Sequence, residues 1–237
     1  MNNELATIPL THLAIGFGPT LAVLVIMVRW NLNAKDAIYA NIRMLAQLLA
    51  VGYALTYIFE TDDSTVIVLL VAIMFAVAAW IALHALKPRR AQDLLIALTS
   101  IGIAGLLLLV LVTQVVLDLQ RWFEPRYVVP IAGMILANSM NTVSLSAERF
   151  QSESMRGVPY VTARRIAMQA AMIPQINALL AVGLVALPGM MTGQILSGVD
   201  PLIAVRYQIM VMSMIFAAAG LATAIYLTLL RYRTNAP

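Results

Sequence analysis

Leu187-Pro188-Gly189-Met190-Met191-Thr192-Gly193-Gln194-Ile195-Leu196-Ser197-Gly198-Val199-Asp200-Pro201 joins two long apolar segments, and its reading decides how the chain is organised. Pro188-Gly189 is expected to stop a helix, Gly193 and Gly198 to permit tight turns, and Asp200-Pro201 to open the next element. The stretch therefore reads as a structured break between two membrane helices.

Working outward, the rest of the chain is apolar to a degree that soluble domains do not reach. Of 237 residues, 62% are hydrophobic and 11% charged, against about 25% charged in an ordinary soluble domain. Several runs approach or exceed the ~20 residues that cross a bilayer. Apolar periodicity and run length give seven expected spans, at 10–29, 42–59, 64–86, 94–118, 127–147, 168–187 and 206–230. The span at 168–187 is the most interrupted, by Pro174, Gln175 and Asn177. No linker or tail is long enough to fold separately, so residues 1–237 are expected to form one transmembrane permease-like domain. The fold class is an all-α polytopic helical bundle. The first twelve residues contain Glu4 and no Lys or Arg, so the first apolar run is expected to be retained as a helix rather than cleaved as a leader.

Orientation follows from the basic residues, which concentrate on the cytoplasmic side. With the N-terminus outside and the C-terminus inside, the inner ends collect Arg29, Lys35, Arg43, Lys87, Arg89, Arg90, Arg149, Arg156, Arg164, Arg165, Arg231 and Arg233. Only Arg121, Arg126 and Arg206 fall outside. Glu4, Glu60, Asp62, Asp63, Asp118, Glu124 and Asp200 lie on the outer side in the same topology. Seven spans suggest a retinal protein, but that chemistry needs a lysine within a late helix, and Lys35 and Lys87 both fall in inner loops. The net charge of +4 is spread between apolar runs and makes no nucleic-acid surface.

Enzyme chemistry is poorly supplied. The chain has no cysteine, and His12 and His84 are far apart, near helix ends. It has neither a Gly-x-Ser-x-Gly elbow nor a Gly-x-x-x-x-Gly-Lys-Ser/Thr loop, so it cannot hydrolyse ATP by itself. Polar residues at membrane depth are more informative, because each is costly unless paired or facing a cavity. Asn138, Asn141 and Thr142 have the i, i+3, i+4 spacing of one helix face. Gln175 and Asn177 begin the sixth span, and Gln47 lies within the second. Two readings stay open: hydrogen-bonding contacts between helices, or the lining of a translocation path. Met134, Met140, Met172, Met190 and Met191 surround the same region and either fill gaps or offer thioethers to a soft cation. Which residues would hold a metal is left unassigned.

Two connections stand out. The outer one, Gln120-Arg121-Trp122-Phe123-Glu124-Pro125-Arg126-Tyr127, has the make-up of an aromatic belt at a membrane boundary. An outer gate, with Glu124 and Asp118 supplying carboxylates, is the alternative. The inner one, at about 148–166, mixes Phe150, Met155, Val158, Tyr160 and Val161 with charges. It is either a solvated connector or a docking surface.

Three blocks carry a resemblance to the FetB-type permeases, the membrane subunits of two-component ABC transporters associated with iron export, a family that includes plant permeases linked to aluminium tolerance. They are Arg43 to Tyr53, Pro130 to Asn141, and Val182 to Met191 continuing through Asp200-Pro201 to Arg206-Tyr207-Gln208-Ile209. The resemblance implies a permease homodimer in the inner membrane, driven by a separate cytoplasmic ATPase that binds ATP and Mg. This chain would bind no cofactor, and a metal ion or complex would be the cargo. It implies that Glu148, Phe150, Glu153, Gly157 and Tyr160 couple to the ATPase, and that Pro188, Gly189, Met190, Met191, Gly193, Asp200 and Pro201 form a structural motif. On that reading, aspartate at Phe150 and Tyr160 should abolish ATPase association and spare membrane insertion. The chain departs from the family in an inner loop shorter by about one helix, where Glu153-Ser154-Met155-Arg156-Gly157 replaces the coupling stretch. It also has Val77 where an Asn precedes Ala-Ala-Trp. An ATP-independent transporter or channel, or a non-transporting scaffold, is the alternative.

Overall fold

The computed structural model describes residues 8–61, 63–84, 86 and 91–234. Glu4, Asp62, Lys87, Arg89 and Arg90, used above for orientation, lie outside the described residues. The chain falls into two compact units, Met1–Thr61 and Asp62–Pro237.

The first unit holds α1 (Leu10–Gly16), α2 (Gly18–Arg29) and α3 (Ala34–Glu60). Together α1 and α2 form one apolar stretch, Leu10–Arg29. Its end is closed by Asn31 in the left-handed conformation (φ 55°). The Leu32 N–H donates to Met27 O at 2.8 Å and the Asn31 N–H to Val28 O at 3.1 Å, which satisfies the last carbonyls of α2. The helix α3 begins eight residues before the expected span, because its first turn carries Lys35 and Asp36 and reads as loop by apolarity alone. Gln47 lies on an exposed face of α3.

The second unit holds α4 (Ser64–Ala82), α5 (Ala91–Val110), α6 (Pro125–Met155), α7 (Tyr160–Ala181), α8 (Gly189–Leu196) and α9 (Pro201–Thr234). A π-helical turn, Leu111–Val116, continues α5. The central helix is α6, which touches α4, α5, α7 and α9. Small side chains let these helices approach closely, as membrane helices require. Ala79, Ala97, Ala163, Ala167, Ala171, Ala204, Ala218, Ala219 and Ala222 are all completely buried. Gly105 of α5 does the same against α4, where an added Cβ would sit 2.7 Å from the Phe75 ring.

Six helices of the described residues are long and apolar enough to cross a membrane: Leu10–Arg29, Ala34–Glu60, Ser64–Ala82, Ala91–Val116, Pro125–Met155 and Pro201–Arg231. The protein is a polytopic helical membrane protein. The sixth expected span, 168–187, is instead the helix Tyr160–Ala181. It is about 33 Å long, yet Arg164, Arg165, Gln169, Gln175 and Asn177 keep it out of the apolar set. It runs antiparallel to α6, since Tyr160 meets Phe150 at one level and Gln175 meets Asn138 at the other.

The expected inner loop is mostly helix. The helix α6 continues through Glu148 and Phe150 to Met155, and α7 begins at Tyr160. Between them Gly157 adopts φ +76°, with Val158 N–H donating to Glu153 O at 3.2 Å and Gly157 N–H to Ser154 O at 3.0 Å. This is a Schellman closure followed by Pro159. Charge made the segment read as loop, but Arg149 and Glu153 are an i, i+4 ion pair at 2.6 Å on the helix.

The opening stretch is also revised in part. The helix stop lies at Val182-Gly183, where Gly183 has φ +85°, six residues before Pro188-Gly189. Pro188 is instead the N-cap of α8, and Gly193 lies inside that short helix. Gly198 does make a turn (φ +89°), with Val199 N–H donating to Gln194 O at 3.0 Å. Asp200 opens α9 as expected: its Oδ1 accepts from Leu202 N–H at 2.8 Å, with Pro201 at the first helical position.

Candidate functional site

The polar residues of α6 divide into two sets. Asn138 Nδ2 donates to Met134 O at 2.8 Å, and its Oδ1 accepts from Gln175 Nε2 at 3.3 Å, which ties α6 to α7. The Thr142 hydroxyl donates within α6 to Asn138 O at 2.9 Å and lies 3.4 Å from Ala219 O of α9. Thr142 and Gln175 are buried, at 1% and 8% exposure. Asn138, Thr142 and Gln175 therefore join α6, α7 and α9. A double-mutant cycle on Asn138→Leu and Gln175→Leu is expected to return a coupling of about 0.6 kcal/mol, read from thermal unfolding in detergent. Additive losses would mean the amide pair does not hold the helices.

Asn141 and Asn177 form the other set. Both are exposed on the second unit, although each is within three residues of the hydrogen-bonded pair. Amide side chains facing lipid at that depth are costly, so this face suits water or a partner. Gln47 is exposed on α3 of the first unit.

Sequence reasoning missed a further polar set in α9. Gln208 is 5% exposed and Thr223 is fully buried. Gln208 Oε1, Thr223 Oγ1 and Ser139 Oγ have no hydrogen-bond partner. The isolated Gln208 within an apolar run was the available signal. Among the described residues no three His, Cys, Asp or Glu side chains come together.

At the α6–α7 turn the five expected coupling residues have different surroundings. Phe150 is 7% exposed and packs edge-on against the Tyr160 ring, centroids 5.8 Å apart. The Tyr160 hydroxyl donates to Leu227 O of α9 at 2.7 Å. Glu153 is buried and paired with Arg149 at 2.6 Å and Arg156 at 3.8 Å. These three side chains shape the turn. Glu148 and Gly157 are exposed, as are Met155 at 77% and the Arg156 side chain at 68%.

Ahead of α6, Trp122 and Phe123 stack edge-on at 5.5 Å, and Glu124 holds the N-cap position before Pro125 without a side-chain cap bond. In the 187–201 stretch, Thr192 Oγ1 donates to Pro188 O at 2.8 Å, and Met190 and Met191 sit at the start of α8.

The uncharacterised protein family UPF0014 matches residues 10–163 and 157–235. The two matched segments overlap at residues 157–163, at the α6–α7 turn. The UPF0014 membrane protein YjkA of Bacillus subtilis is 39% identical over 221 residues, covering 84% of this chain and 83% of the relative. The protein named "Probable iron export permease protein FetB" of Escherichia coli is 38% identical over 213 residues, covering 82% of this chain and 80% of the relative. Protein ALUMINUM SENSITIVE 3 of Arabidopsis thaliana is 28% identical over 209 residues, covering 81% and 75%. No solved structure matches. With the family matched along nearly the whole helical chain, and relatives above 30% identity over more than four fifths of it, this chain belongs to the UPF0014 family of polytopic membrane proteins.

Proposed function

We propose that this chain is the membrane permease subunit of an ABC transporter in the inner membrane, exporting iron or a related metal with ATP hydrolysed by a separate cytoplasmic ATPase. The observation that carries the reading is the 38% identity to FetB across 82% of the chain. The permease acts as a homodimer with seven spans, N-terminus out and C-terminus in, α7 being the seventh. ATP and Mg belong to the partner, and this chain binds no cofactor.

Asn141 and Asn177 supply polar groups to the path, while Asn138, Thr142 and Gln175 hold the helices that present them; Gln47 of α3 is a further candidate residue on the sequence reading. Amide and hydroxyl oxygens are hard donors suited to a metal still carrying water or a chelator. The ATPase docks on the exposed tip of the α6–α7 turn, at Glu148, Met155, Arg156 and Gly157. Its movement reaches the path because α6 runs unbroken from that tip past Asn138.

The test is a pull-down of tagged protein from native membranes. The unaltered chain is expected to bring down a stoichiometric nucleotide-binding subunit, and Met155→Asp with Arg156→Glu to lose it while folding normally. A clean preparation from unaltered protein would sink the ATP-driven reading. The short turn between α6 and α7 would then favour an ATP-independent transporter of the same cargo.

A further inference from the structure

A groove of about 540 Å³ lies between α7 and α9 near their inner ends, lined among others by Arg164, Arg165, Met168, Gln169, Leu227 and Thr228. A smaller one adjoins it, sharing Arg164 and reaching Tyr160 and Arg231. The position is fixed by Tyr160, whose hydroxyl ties α7 to Leu227 O and whose ring lies 5.6 Å from the Arg164 guanidinium carbon. Arg164 and Arg165 are exposed, and among the described residues neither pairs with a carboxylate.

The two ends of this groove differ in chemistry. Its inner rim is cationic. Toward the middle of the membrane, α7 continues with Ile173 and Ile176, 55% and 46% exposed, and α9 with Leu221, 41% exposed. With Tyr160 level with Leu227, Arg164 and Arg165 lie about one helical turn along α7 toward the middle of the membrane, and Arg231 about one turn along α9 toward its inner end. A charged rim over an apolar slope fits an amphiphile with an anionic head. Basic pockets between membrane helices on the cytoplasmic side bind such heads.

We propose that the α7–α9 groove is a binding site for an anionic phospholipid, its phosphate held by Arg164 and Arg165 and its acyl chains lying along Ile173, Ile176 and Leu221. A protein partner is the weaker occupant, since the floor descends into the hydrocarbon layer, away from the turn tip assigned to docking. The lipid would brace α7, the long helix that falls outside the six apolar spans, at its charged end.

The test uses the full chain purified in neutral detergent, with bound lipid counted by native mass spectrometry after titration with phosphatidylglycerol, phosphatidylcholine or inorganic phosphate. One phosphatidylglycerol per chain is expected to be retained in preference to phosphatidylcholine. Arg164→Gln with Arg165→Gln is expected to weaken retention about thirtyfold, from about fivefold per arginine. If that variant does not fold, Arg164→Lys with Arg165→Lys should keep the preference, and salt should erode it in the unaltered protein. Equal retention of both lipids, or unchanged retention in the glutamine variant, would overturn the site. Displacement of the lipid by inorganic phosphate at equal concentration would assign the groove to a free phosphate instead and overturn it as well. Loss of a co-purifying ATPase from the glutamine variant with lipid retention unchanged would make the groove a protein surface.

Discussion

Phe150→Asp is expected to leave little folded protein. The ring is 7% exposed and packs edge-on against Tyr160, and Tyr160 in turn holds α9 through Leu227 O at 2.7 Å. Removing a buried Phe ring costs about 3–5 kcal/mol, and an unpaired carboxylate in its place adds to that. The expected readout is aggregation or early unfolding on heating in detergent, with Phe150→Leu much milder. This revises the expectation that aspartate at Phe150 spares the membrane fold and removes only ATPase binding. A Phe150→Asp protein that melts like the unaltered one, but no longer brings down an ATPase, would put the ring back on the docking surface.

The second large effect is expected at Gly105→Val. Here α4, α5 and α6 meet: an added Cβ would lie 2.7 Å from Phe75 Cε1 and 3.4 Å from Ile135 Cγ2. Phe75 is 6% exposed and Ile135 completely buried, so a side chain at this position must drive the Phe75 ring toward the groove that it lines. Alanine is expected to cost on the order of 1–3 kcal/mol and valine more. Phe75→Leu should recover part of the loss in the Gly105→Ala background, because residues in contact are not additive. A Gly105→Val protein with unchanged thermal stability would show that α4 and α5 are not held at this distance.

The sequence was legible wherever apolarity and chain geometry coincide. The runs at 64–82 and 101–110 could only be buried or lipid-facing helix. Asp200-Pro201 had one sound reading, because a side-chain acceptor followed by a residue without an N–H suits a helix start. Illegible were the charged ends. Lys35 and Asp36 hid the first turns of α3, Arg149 and Glu153 the end of α6, and Arg164 and Arg165 the start of α7. In each case the charges remain on the helix: Arg164 and Arg165 are exposed, whereas Glu153 is buried and paired with Arg149. The polar residues of α6 and α7 were half legible. Helical spacing placed Asn138 and Thr142 near each other but also enlisted Asn141, whose side chain points away from their contacts. Gln175 was visible as an oddity in an apolar run, whereas its pairing with Asn138 depends on how two helices are set in register. The roles of Glu148, Phe150, Glu153, Gly157 and Tyr160 came from resemblance, and the surroundings of each separate those that shape the turn from those that reach its surface.

Ala163, Ala167 and Ala171 form a row at i, i+4 and i+8 along α7, each completely buried, and Ala218, Ala219 and Ala222 are equally buried on α9. Alanine has no rotamers to lose when it is packed, so each of these positions packs without side-chain ordering. Such a row also lacks the interlocking that long side chains give to neighbouring helices. Side-chain hydrogen bonds from α7 run from Tyr160 to α9 at one end and from Gln175 to α6 toward the other. The smooth row between them resists a lengthwise shear of α7 less than interdigitated long side chains would.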